Sequence, residues 1–247
     1  MGAANGAGVE VLVDDAVRGA RCEYHAHALD ARSADGLLAE LLAAPVAGGT
    51  GRAGAGAASG RVVWRTHVDD FGPQDRLTAY WGDAGTAFWF VGLRLEPEAW
   101  PRSPLLAAAR AAAQRAAGDG VALTACLANR YDAGEGFIAP HGDEVRAHGP
   151  EPVICTLSLG GPREIVLMER EGCEGAAGER RQVRRRLEPG SVLVMRGRAM
   201  QDEWRHELPL ASGGAGANPV RIALTFRSIV PGYEDSLAAT TSAAGHA

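Results

Sequence analysis

Apolar residues along this chain recur in short runs broken by Gly and Pro, a pattern of many short strands rather than of long helices. The runs cover Leu77–Trp81, Ala87–Leu95, Ala122–Arg130, Val153–Ser158, Glu164–Met168, Val183–Leu187, Ser191–Met195 and Val220–Ile229. Two segments carry helical signals instead. One is Ala34–Leu42. The other starts at Ser103, an N-cap residue followed by Pro104 at the first helical position, and runs through an Ala/Arg-rich body to Gly118. This second helix is expected to lie across a sheet. The pattern therefore predicts a mainly β fold with flanking helices (α+β), closed as a barrel or a sandwich.

Boundaries follow from composition. Ala47–Gly60 is almost entirely Gly and Ala and cannot pack a core, so residues 1–60 are expected to be flexible or partly helical, with 61–232 as the folded domain. The segments Gly172–Gly178 and Ala211–Ala217 read as loops, and residues 233–247 as a disordered tail. No internal repeat is visible, and no apolar run reaches membrane-spanning length.

The 247 residues are 46% apolar and 22% charged, enough for one soluble domain with a real core. All 25 basic residues are Arg, against 30 acidic ones, and the net charge of −5 argues against non-specific capture by nucleic acid while saying little about any local face. Cys22, Cys126, Cys155 and Cys173 lack CxxC spacing, and Cys126 and Cys155 sit in apolar runs that suit small buried thiols. With no charged flank and apolar run after Met1, an intracellular location is expected: the nucleus for a eukaryotic source, the cytoplasm otherwise.

The candidate chemistry begins at His141-Gly142-Asp143, where alternate residues of a strand point the same way, and continues at His206 beside Trp204. Two imidazoles and one carboxylate suit iron(II) and leave coordination positions open for a cosubstrate and dioxygen. Alone, such a tripeptide is weak evidence for a metal and reads more readily as a solvated loop. Its company is Arg221-Ile222-Ala223-Leu224-Thr225-Phe226-Arg227, in which two arginines on one strand face can each meet a carboxylate in a fork. The intervening residues are too apolar for a strand exposed on both sides, and a dicarboxylic cosubstrate would match the pair. Upstream, Asn129-Arg130-Tyr131 offers an amide and a phenol.

Between Arg61 and Pro231 these elements, together with Tyr80-Trp81-Gly82-Asp83-Ala84-Gly85, Phe88-Trp89-Phe90, Leu157-Ser158-Leu159-Gly160 and Gly190-Ser191-Val192-Leu193-Val194-Met195, fall in the order of a known family. The chain resembles the AlkB-type iron(II) and 2-oxoglutarate-dependent nucleic-acid dealkylases, most of all the eukaryotic-type homologues that repair alkylated DNA. The resemblance implies a double-stranded β-helix, or jelly roll, at 121–232, preceded by a nucleotide-recognition lid and supporting helix at 61–120. It implies iron held by His141, Asp143 and His206, the distal carboxylate of 2-oxoglutarate held by Arg221 and Tyr131, and its chelating end steadied by Arg227 and Asn129.

The same resemblance implies a flipped base held between Phe90 and His141, with Phe88 lining the pocket and Arg76 near the lesion. Trp64, or less well Phe71, would be the wedge inserted into a duplex, although a core aromatic explains either equally well. The reaction implied is oxidative dealkylation of bases such as 1-methyladenine and 3-methylcytosine, using dioxygen and releasing formaldehyde, succinate and carbon dioxide. Arg180, Arg181, Arg184, Arg185 and Arg186 are expected to contact the DNA backbone, because charges this dense repel unless something anionic compensates. A solvated strand edge or a nuclear localisation signal are the competing readings of that cluster.

Two positions depart from the family pattern. Val145 stands where relatives often carry an acid for the exocyclic amine of the base, with Glu144 as a stand-in, and Ala223 stands where Asn is common. Expected partners are alkylated duplex or single-stranded DNA, with no membrane and a monomeric chain. The alternatives are an RNA demethylase of the same chemistry, a catalytically silent nucleic-acid-binding jelly roll, and a hydroxylase of small molecules or proteins.

Overall fold

The computed structural model describes residues 8–47, 60–69, 72–90, 93–132, 136–173, 179–211 and 219–233. The largest sheet contains β1 (Val9–Asp15), β2 (Ala20–His25), β3 (Arg65–Asp69), β4 (Gly72–Gly82), β7 (Ala125–Tyr131), β9 (Val153–Gly160), β12 (Val192–Arg196) and β14 (Arg221–Arg227). Their spatial order is β1-β2-β12-β9-β14-β7-β4-β3, antiparallel throughout. A smaller antiparallel sheet has the order β11-β10-β13-β8, built from β8 (Ile138–His141), β10 (Arg163–Glu169), β11 (Gln182–Leu187) and β13 (Trp204–Leu208). The two sheets form the layers of the jelly roll, with the predicted mainly β, helix-flanked class.

Helices α1 (Ala31–Leu42) and α2 (Pro104–Ala117) pack on the outer face of the large sheet. The Ser103 hydroxyl accepts from the Leu106 N–H, Pro104 opens α2, and Gly118 closes it at φ +81°. The Asp30 carboxylate accepts from the Ser33 N–H, so α1 begins three residues before the apolar stripe does. Leu37, Leu41, Leu106, Ala109 and Ala113 from these helices share one core with Leu157, Ile222, Leu224 and Phe226 of the sheet.

Strand alternation places the site. On β14, Ile222, Leu224 and Phe226 face the helices, whereas Arg221, Ala223, Thr225 and Arg227 face the space between the sheets. On β7, Cys126 and Ala128 join the helix-side core while Leu127, Asn129 and Tyr131 face inward. Every residue of β14 is buried although two are arginines. A central strand with cations on one face and apolar residues on the other is legible only when both faces are covered.

Two expectations are corrected. Within the segment 1–60, expected to be flexible or partly helical, the described residues 8–47 hold α1 and also two strands of the large sheet: β2 pairs with β12 from Val192↔His25 to Arg196↔Arg21, and Cys22 and Tyr24 join Ile154, Leu193, Met195 and Trp204 in a second core cluster. Short strands of this kind are stabilised by partners distant in sequence, which local patterning does not reveal. The glycine-rich stretch 48–59 and the tail 234–247 lie outside the described residues, as do parts of the two expected loops. The run Ala87–Leu95 is two strands, β5 (Phe88–Phe90) and β6 (Leu93–Leu95), paired as Phe88↔Leu95 and Phe90↔Leu93. Cys22, Cys126 and Cys155 are buried free thiols, as expected for two of them. Among the described residues, no helix is long and apolar enough to cross a membrane.

Candidate metal centre and cosubstrate cavity

His141, the last residue of β8, and His206, in the middle of β13, are direct cross-strand partners whose ring centres are 4.1 Å apart. Asp143 follows β8 and turns back toward both, its Oδ1 lying 3.5 Å from His141 Nε2 and 3.8 Å from His206 Nε2. One donor atom from each of the three residues lies within 4.8 Å of the others. Gly142 makes the turn possible, since a Cβ there would stand 2.0 Å from the Gln201 carbonyl oxygen. Gln201 also fixes the loop through its Oε1, which accepts from the Asp143 N–H at 2.9 Å.

The tautomer of His141 follows from its surroundings. Its Nδ1 lies 2.9 Å from the Ala139 carbonyl, which accepts only, so Nδ1 carries the proton and Nε2 keeps its lone pair for a metal. Burial opposes charge on Asp143, but Arg227 and the two histidines outweigh it and hold the carboxyl well below the usual carboxylate range. Arg227 donates to Asp143 Oδ2 from Nη2 at 3.0 Å and from Nε at 3.3 Å, leaving Oδ1 toward the histidines. Burial and the neighbouring His141 push His206 down to about 4. His141 is drawn the other way: burial is opposed by the hydrogen bond and charge of Asp143, which raise it.

Two neutral-capable imidazoles and an ionised carboxylate on one side of a cavity fit iron(II) and leave its other positions free. The cavity between the sheets measures about 850 Å³ and is lined by Asn129, Tyr131, Arg221 and Arg227 on the large sheet and by His141 and His206 on the small one. Arg221 is buried opposite Tyr131, donates from Nη2 to Ser158 Oγ at 3.2 Å, and is paired with no described carboxylate. Arg221 Nε and Arg227 Nη1 are buried N–H groups without a partner among the described residues. Buried guanidinium donors left open in this way are costly unless an anion meets them, and two of them in one cavity fit a dicarboxylate such as 2-oxoglutarate.

Asn129 faces the same cavity opposite Ala223, and its Oδ1 accepts from Arg76 Nε at 3.3 Å. The Asn129 amide N–H₂ is thereby turned away from Arg76. Arg76 lines the cavity and orients this amide. Phe88 is buried at the cavity wall, with its ring 5.0 Å from that of Tyr80 and 5.7 Å from the Arg227 guanidinium. Phe90 ends β5, and its side chain lies outside what the structure describes, as does the whole of Phe71. Glu144 lines the cavity but is bound to Arg146 at 2.7 Å, and Val145 is buried at the start of the following 3-10 turn.

Trp64 is corrected as a DNA-inserting wedge. Its ring is fully buried in the helix-side core, and Nε1 donates to the Leu41 carbonyl at 2.8 Å. The premise behind the arginine cluster is corrected as well. Arg181 pairs with Glu169 and Asp15, Arg184 with Glu164, Arg185 with Glu10, and Arg186 with Glu188, each between 2.7 and 3.0 Å. Arg185 also stacks on Tyr24. Antiparallel pairing of β11 with β10 sets Arg184 and Arg186 beside acidic Glu164, so this chain supplies the compensating anions itself. Arg180 is exposed before β11.

Sequence reasoning missed Gln201, Ser158 and His148. His148 is buried at the cavity, and burial and Arg227 push it down to about 4. Gln201 and Ser158 reach the site from elements remote in sequence, whereas His148, five residues after Asp143, is brought in by the 3-10 turn Val145–His148.

A family model described as the 2OG-Fe(II) oxygenase superfamily matches residues 92–227. The chain is 30% identical over 174 residues to the DNA oxidative demethylase ALKBH2 of Arabidopsis thaliana, covering 64% of this chain and 54% of that protein. It is 32% identical over 157 residues to the human protein of the same name, covering 63% and 57%. It is 28% identical over 161 residues to the rat alpha-ketoglutarate-dependent dioxygenase alkB homolog 3, covering 64% and 52%. The matched region thus spans little more than half the length of these curated relatives.

Proposed function

The chain belongs to the 2OG-Fe(II) oxygenase superfamily, whose members use iron(II), 2-oxoglutarate and dioxygen, and from that premise we propose that it oxidatively dealkylates N-alkylated bases of the 1-methyladenine and 3-methylcytosine type in DNA. One observation carries the proposal. The His141, Asp143 and His206 donors and the open guanidinium N–H groups of Arg221 and Arg227 meet in one cavity with room for a cosubstrate and a base. The names of the relatives supply the substrate class.

Within this reading each side chain has a task. His141 and His206 present Nε2, and Asp143 presents Oδ1, as the three protein ligands. Arg227 keeps Asp143 ionised and oriented, and its free Nη1 meets the chelating end of 2-oxoglutarate together with Asn129. Arg221 and Tyr131 take the distal carboxylate, and the buried surroundings exclude water. Bound iron supplies the oxidising chemistry, coupling decarboxylation of 2-oxoglutarate to insertion of oxygen into a C–H bond of the alkyl group. One oxygen atom of O₂ enters succinate, the other gives an N-hydroxymethyl base, and this loses formaldehyde as the ring nitrogen recovers its electron pair.

Trp64 lies in the core and Phe71, the other candidate wedge, lies outside the described residues, so the test covers both paired and unpaired target bases. The test is anaerobic loading with iron(II) and 2-oxoglutarate, then assay of formaldehyde and restored base on single-stranded DNA, duplex DNA and RNA carrying 1-methyladenine, with His206→Ala as control. Repair by the parent alone is expected, and the comparison of the three substrates reads the strand preference. Turnover of 2-oxoglutarate without base repair on any of the three would sink the proposal and point to a different substrate class.

A further inference from the structure

Arg163, at the start of β10, lies outside the cavity lining yet touches the structure around it at three places. Its Nη2 donates to the carbonyl of Gly136 at 3.1 Å and to the carbonyl of Pro209. Its guanidinium carbon lies 5.9 Å from the centre of the Tyr131 ring, while that of Arg221 lies 5.4 Å from the same ring. Gly136 precedes β8, which ends in His141, and Pro209 follows β13, which carries His206. One buried side chain thus bridges the far ends of both strands that carry a candidate histidine ligand and flanks the tyrosine assigned to the cosubstrate.

Gly136 is part of the same junction. It sits at φ +81°, and a Cβ there would stand 2.7 Å from the Asp75 carbonyl oxygen and 3.2 Å from Tyr131 Cδ1. The backbone at this point is pressed against the tyrosine ring, which only a glycine allows. Arg163 is 5% exposed, and its Nη1 has no partner among the described residues, so burying this cation is costly on its own account. Burial lowers its pKa below that of an ordinary arginine.

We propose that Arg163, with Gly136, is a positioning residue for the cosubstrate: it holds the Tyr131 ring between two guanidinium groups and so fixes the Tyr131 hydroxyl and Arg221 for the distal carboxylate. The inference rests on the role assigned above to Tyr131 and Arg221. Side chains that orient groups in direct contact with a ligand are worth as much as tenfold or more in affinity.

The test measures 2-oxoglutarate binding by anaerobic titration calorimetry on the iron(II)-loaded full chain, beside circular dichroism, thermal melting and iron affinity, for Arg163→Met, Arg163→Lys, Gly136→Ala and Arg221→Met. Arg163→Met and Gly136→Ala are expected to weaken 2-oxoglutarate binding about tenfold, raising its KM more than they lower kcat, while iron affinity stays within about twofold. Arg163→Lys, which keeps a cation able to bridge the two carbonyls, is expected to recover part of the loss. A folded Arg163→Met, or Gly136→Ala if the former does not fold, that binds 2-oxoglutarate like the parent would overturn the inference. If Arg221→Met also binds it normally, the assignment of Arg221 itself fails instead.

Discussion

Arg221 and Tyr131 stand directly opposite one another on β14 and β7, both buried, with the guanidinium carbon 5.4 Å from the ring centre. Two rows further along the same pair of strands, Ala223 faces Asn129. This register places a cation, a phenol and an amide on one face, the set proposed to bind a dicarboxylate. Arg221→Met should weaken 2-oxoglutarate binding by about 30-fold or more, the cost of leaving a buried carboxylate without its charged partner, and Tyr131→Phe by less. Anaerobic calorimetry reads both, and an unchanged affinity in Arg221→Met would remove Arg221 from the site.

In the proposed site Arg227 acts on the metal through Asp143. Truncation to Arg227→Ala removes both hydrogen bonds to Asp143 Oδ2 and the cation that keeps this carboxyl ionised. Iron(II) affinity should fall by about tenfold to a hundredfold, as measured by anaerobic titration at constant pH. Retention of parental affinity would show that the histidines and Asp143 hold their geometry unaided.

Trp64→Ala tests the core assignment against the wedge. Loss of a fully buried indole in the helix-side core should cost about 3–5 kcal/mol and lower the melting temperature by roughly 10 °C. Activity per folded molecule should fall equally on duplex and single-stranded substrates. A selective loss on duplex DNA at unchanged stability would restore Trp64 as the inserted residue.

Glu169 should make stability depend on pH. Burial by itself would raise this carboxyl, but the hydrogen bonds from the Arg181 side chain and backbone, with Arg18 nearby, hold it below the ordinary glutamate value. A carboxyl depressed in the folded state stabilises fully above its unfolded pKa, near 4.5, and this contribution is lost as pH falls through the folded value. Glu169→Gln should therefore be less stable than the parent at pH 7, with the gap closing below about pH 4. Urea midpoints at pH 7 and pH 3.5 measure it, and a gap that widens in acid would contradict the sign.

Much of the site was legible because its chemistry is local in sequence. His141 and Asp143 are separated by one residue, Arg221 and Arg227 share one strand face through a period of two, and Asn129 and Tyr131 do likewise. The α2 boundaries were legible for the same reason, since Ser103, Pro104 and Gly118 act on their own helix ends. Gln201, Ser158 and Arg163 were not, because each matters only through a carbonyl, hydroxyl or ring brought near by a distant strand.

What the amino-acid order determined by itself is the set of side chains able to bind iron and a dicarboxylate, and the strand alternation that points them to one side. What tertiary structure decided is what stands opposite each of them. Trp64 became core because helix α1 covers it, β1 and β2 became sheet because β12 offers a free edge, and Arg181 and the arginines of β11 met Glu169, Glu164, Glu10 and Glu188 of this same chain. Alternation specifies a face, whereas burial, pairing and charge neutralisation are properties of two surfaces, and the second surface comes from elsewhere in the chain.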